Sequence, residues 1–131
     1  MNAIILILLS LHSLTGFQTL VVWKGQTPSH PHEWNCSSNW SNNLIPNEFT
    51  DVLIIPDETF SDNYPVIITH QEVNSLCILK GGRITINASE INIYDALKSS
   101  YSHTQISGDG VIKIIDKSKA SPKKSAHRQS Q

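Results

Sequence analysis

The chain has 131 residues, enough for one domain, and a formal net charge of −1. That balance hides an asymmetry: the stretch through Asp116 carries eleven acidic and five basic side chains, a balance of −6, whereas residues 117–131 carry five basic side chains and no acid. An acidic body excludes a nucleic-acid groove, which needs a cationic face.

Ala3 to Leu11, "AIILILLSL", is an apolar run too short to span a bilayer, which takes about 20 residues. It fits the centre of a secretory signal peptide, with small residues at Ser13, Thr15 and Gly16. Cleavage near Gly16 is the expectation; a retained anchor or a buried N-terminal strand is the alternative. The expected organisation is a signal peptide over 1–16, one domain over 17–116 and a basic tail over 117–131. The tail, "KSKASPKKSAHRQSQ", has almost no apolar side chain and reads as disordered. No transmembrane helix is expected in the mature chain.

"TLVVWKG", Thr19 to Gly25, is a short β-type run ended by glycine. Gln26 to Asn43 is rich in Pro, Ser, Asn and His and reads as turns. Short β-type segments follow in quick succession: "DVLIIP", "PVIITH", "NSLCILK", "RITIN", "INIY", "TQIS" and "VIKII". Several alternate with period two. Leu76 and Ile78 oppose Cys77, Ile84 and Ile86 oppose Thr85, and Ile91 and Ile93 oppose Asn92. "DVLIIP" is apolar on both faces, so it is expected to be covered twice. Only "YDALKSSY" could form a helical turn. The fold class is all-β, with two architectures open: a short solenoid of about three stacked coils, or a small β-sandwich.

Taken together, "VVWKG", "EWNCSSNWSNNLIPNEFTDVLIIPD", "YPVIITHQEVNSLCILKGGRITINASEINIY" and "GDGVIKI" resemble the N-terminal β-solenoid module of large secreted and surface proteins of Gram-negative bacteria. The resemblance covers Val21 to about Ile115. It implies a parallel β-helix-like stack whose first coil is capped by Trp23, Trp34 and Trp40, with Asp51 terminating the cap loop. The residues agree with a cap: large rings can cover an open apolar end, while Asn and Ser side chains satisfy turn backbone.

The chemistry-bearing candidates are few. Trp34 and Trp40, with Tyr94, are the candidate carbohydrate-stacking residues. Asp57, Glu58 and Asp62, next to Asn63, form an oxygen-rich candidate calcium loop without EF-hand spacing. His30 and His32, beside Glu33, would share a side on an extended segment and could share a metal. Cys36 and Cys77 can pair in an exported chain, Cys77 pointing off the core face. There is no GxSxG and no GxxxxGK[ST].

The expected function is a non-catalytic structural or interaction module of the cell envelope or exterior, adhesion included, requiring no cofactor. The alternatives are a carbohydrate-binding module and a fragment of a polysaccharide lyase or hydrolase. Expected partners are a glycan or an envelope or extracellular protein, and the expected location is secreted or cell-surface, with the periplasm as the alternative.

Overall fold

The computed structural model describes residues 19–116 and Ser118. The expected signal peptide lies outside the described residues, as does the basic tail apart from Ser118. Nine strands are described: β1 (Thr19–Val22), β2 (Thr50–Ile54), β3 (Val66–Ile67), β4 (Gln71–Val73), β5 (Ser75–Ile78), β6 (Ile84–Ile86), β7 (Glu90–Ile93), β8 (Ile106–Ser107) and β9 (Val111–Ile114). The described helical segments are single 3₁₀ turns of three residues. One of them, Ala96–Lys98, is the turn expected in "YDALKSSY"; Asp95 caps it by accepting the Lys98 amide. No described helix is long and apolar enough to cross a membrane.

The strands form three sheets, ordered β1-β2-β5, β3-β6-β8 and β4-β7-β9, and every pairing between them is parallel. From β2 onward the chain visits the three sheets in one repeating order. The Ser99–Ser100 segment stands in for a further strand beside β5: Leu76 donates to Ser99 Oγ and Ser100 donates to the Leu76 carbonyl. Sandwich sheets are typically built from antiparallel hairpins. From β2 onward each connection leads into a different sheet, so neighbouring strands run the same way. Parallel strands need crossover connections, and turns rather than helices supply them.

The register aligns apolar residues in files that run from strand to strand. Val21 pairs with Val52 and Val52 with Leu76, and Ile54 pairs with Ile78. Val73, Ile93 and Ile114 form another file, and Gln71, Ile91 and Ile112 the next. Ile67 pairs with Ile86 and Ile84 with Ile106. Apart from Gln71 and members of the last strands, these side chains make the buried core. Each fully buried aliphatic side chain favours folding by about 1.5–3 kcal/mol. The period-two reading holds: Cys77, Thr85 and Asn92 are only half-buried between buried neighbours. In β2, Val52 and Ile54 enter the core while Leu53 is half-buried, so its second face is only partly covered.

Candidate functional site

The loop between β1 and β2 carries the three tryptophans. Trp23, Trp34 and Trp40 are 0%, 1% and 1% exposed. Trp40 packs edge-to-face against both others, with ring centroids 4.9 Å from Trp23 and 4.8 Å from Trp34. Such pairs gain about 0.5–1.5 kcal/mol beyond their buried area. Trp40 Nε1 donates to the Trp34 carbonyl at 2.8 Å, and Trp23 Nε1 to the Asn63 carbonyl at 2.7 Å. Trp34 Nε1 is buried without a hydrogen-bond acceptor.

The polar residues around the rings hold the loop. Asn39 is fully buried; its Nδ2 donates to the carbonyls of His30 (2.7 Å) and Glu33 (3.0 Å), and its Oδ1 accepts the Thr27 amide (3.0 Å). Ser41 closes the free edge of β1: its amide donates to Val22 O, and its Oγ accepts the Val22 amide. In "NWS", Asn39 ties the turn, Trp40 fills the interior and Ser41 covers the strand edge. At the other end of the loop Glu33 forms a parallel bridge to Val66, extending the sheet of β3.

These positions bear on the stacking expectation. At 1% exposure neither Trp34 nor Trp40 presents a ring face to a sugar. Tyr94 is half-buried at the end of β7, in a different sheet from the strand that leads into the loop. Burial and the neighbouring Glu72 carboxylate push its phenol above the usual value. A cleft of about 450 Å³ does lie beside the loop, between His30–Asn35 and Val66–Thr69, with Ile68 on its wall.

The metal candidates also separate. Glu58 turns to Lys24, leaving Asp57 and Asp62 exposed on the flanking turns. His30 pairs with Glu33 at 3.1 Å, whereas His32 Nδ1 lies 2.9 Å from the Tyr64 carbonyl. The segment is a turn, not the extended run that would align the two rings. Among the described residues no group of three or more His, Cys, Asp or Glu side chains is arranged to hold a metal ion. The expected Cys36–Cys77 disulfide is likewise absent, and both cysteines are free. Cys36 lies against the hydroxyls of Thr27 and Ser38, and Cys77 donates to the Lys98 carbonyl. The Ser38 and Thr27 hydroxyls draw the Cys36 thiol below its usual pKa.

Two polar constellations emerge from the register alone. Asp51, expected only to end the loop, sits buried within β2. Its Oδ1 accepts from Asn74 Nδ2 (2.8 Å) and Ser75 Oγ (2.7 Å), and its Oδ2 from Lys98 Nζ (2.8 Å). Burial acts to raise the carboxyl pKa, but the bonds from Lys98, Asn74 and Ser75 outweigh it and hold the pKa below the usual range. The sequence signal was present: Asp51 pairs with Ser75 twenty-four residues on, and Lys98-Ser99 follows after the same interval. The second constellation lies on the outward face of β4-β7-β9. There His70 bridges Glu72 and Glu90, and Lys113 also reaches Glu90, each at 3.2 Å.

Comparisons with protein-family models, with curated proteins and with solved structures found no match.

Proposed function

We propose that the chain is a short β-solenoid sealed at its N-terminal end by three tryptophans. It serves as a non-catalytic structural or interaction module of a secreted or surface protein, of the kind its sequence resembles in Gram-negative bacteria. The observation that carries this reading is the burial of Trp23, Trp34 and Trp40 to 1% exposure or less. A stack of parallel coils ends in an apolar cross-section, and terminal units of such stacks need a cover. Three interlocked indoles over the first coil meet that need. The polar side chains fit the same reading. Asn39, Asp51 and Asn63 each bond to loop backbone or to a neighbouring strand's side chains. The module then meets a glycan or an extracellular protein through its surface.

Trp34→Ala is the test. Truncating a fully buried aromatic costs about 3–5 kcal/mol. The variant should therefore melt well below the wild type, and neither protein should cleave glycans. Loss of glycan binding with unchanged melting would favour a carbohydrate-binding module instead, and reproducible glycan cleavage by the wild type would overturn both readings.

A further inference from the structure

The two ends of the stack differ. Toward the N-terminal end the buried Trp23, Trp34 and Trp40 belong to the same core cluster as the inward files. At the other end those files finish uncovered among the described residues. Ile93 is 0% exposed, whereas Ile114, next in the same file, is 53% exposed. Ile84 is 0% exposed, and its partner Ile106 is only half-buried. Tyr101 and Ile112 are also half-buried against the core.

The strand edge is open as well. Val111 and Ile115 donate their amides back to Ser89 and Ile93. By strand alternation, the amides and carbonyls of Ile112 and Ile114 point away from the sheet. An uncovered edge over an apolar end is a template for another strand.

From this end we infer that two copies of the chain associate, last coil to last coil, about a two-fold axis through Ile112. The inference rests on the capped-stack reading above, together with the register, and goes beyond it. A two-fold axis makes the two β9 strands antiparallel. With Ile112 opposite Ile112, the outward amide and carbonyl of each meet those of the other, the self-complementary arrangement a two-fold interface requires. Charge disfavours one shift of register: an axis through Lys113 would set the two ammonium groups against each other, whereas the Ile112-centred register sets Lys113 against Val111.

Charge also selects this end. Residues 19–95 carry nine acidic and three basic side chains, but residues 96–116 carry two of each. The last coil is therefore where two acidic bodies repel least. The sealed first coil offers no second stacking surface, so association stops at two copies.

Sedimentation velocity on the purified chain, over a wide concentration range, tests the inference. The wild type should pass from monomer to dimer and no further. Ile114→Lys, a change at an exposed position, should weaken the dimer about tenfold or more. Phe60→Lys, at an exposed position beside the sealed end, should leave it unchanged. Hydrogen exchange of the wild type provides a readout free of any variant: the Ile112 and Ile114 amides should gain protection as concentration rises. A strictly monomeric wild type, open-ended polymers, a dimer indifferent to Ile114→Lys, or exchange at these amides independent of concentration would overturn the inference.

Discussion

Lys98 reaches back 47 residues to place its ammonium 2.8 Å from the buried carboxylate of Asp51. The bond crosses the sheet of β1, β2 and β5, because Lys98 enters from the turn that follows β7. Asn74, at the bend before β5, and Ser75 in β5 bond the same carboxylate. One acid thus fastens three successive passes of the chain, and it does so where a carboxylate without partners would be costly.

Asp51→Ala should destabilise the fold by about 3 kcal/mol, since it leaves Asn74 and Ser75 without their acceptor. The wild-type pair should also show in the pH dependence. Its folded pKa lies below the unfolded value of about 3.9. The stability it contributes is therefore fully present above that value and is lost as pH falls through the folded pKa. Denaturant unfolding between neutral and acid pH should show a shallower loss in Asp51→Asn than in the wild type. Parallel curves would remove Asp51 from this role.

Asn39 should be less tolerant of a charge than of a cavity. Its Nδ2 faces two carbonyls, so Asn39→Asp would set a carboxylate against acceptors in a buried site. At neutral pH that variant should unfold more readily than Asn39→Ala, which loses about 2–3 kcal/mol in hydrogen bonds. Equal melting temperatures for the two would contradict the assigned bonds.

Gly25→Ala should cost about 2 kcal/mol or more. Gly25 has φ +63°, a left-handed conformation that suits glycine, and an added Cβ would collide with the Asn63 carbonyl oxygen. That same oxygen accepts the Trp23 indole, so the damage should reach the loop interior. An unchanged melting temperature with unchanged tryptophan emission would rule this out.

The strands were legible because their alternation is short-range: Ile84 and Ile86, and Ile91 and Ile93, declare an inward face within three residues. The loop was legible in outline, since tryptophans among Asn and Ser suggest rings to bury and backbone to satisfy. What a single segment cannot carry is register. Asp51, Asn74 and Lys98 look like ordinary turn and edge residues until the strands align, and only then do they meet. The metal reading of His30 and His32 relied on alternation, which holds for extended backbone, whereas that segment runs through turns tied by Asn39. The disulfide reading rested on compartment and on the facing of Cys77, neither of which brings two thiols together.

Cys36 and Cys77 should both alkylate in the native, non-reduced protein. Cys36 should react with a pH midpoint below that of an ordinary thiol, because the Ser38 and Thr27 hydroxyls favour its thiolate. Peptide mapping after alkylation across pH resolves the site, and Ser38→Ala should move its midpoint up. Recovery of a Cys36–Cys77 cross-linked peptide would contradict the structure.

Tryptophan fluorescence of the wild-type protein tests the central claim most directly, because all three indoles of the chain lie between β1 and β2. If they close the stack, emission should be blue-shifted and acrylamide should quench it weakly until the protein unfolds. Added glycans should then leave both emission and quenching unchanged. Emission like that of indole in water, with strong quenching in the native state that glycans relieve, would show instead a solvent-facing aromatic platform and contradict the account.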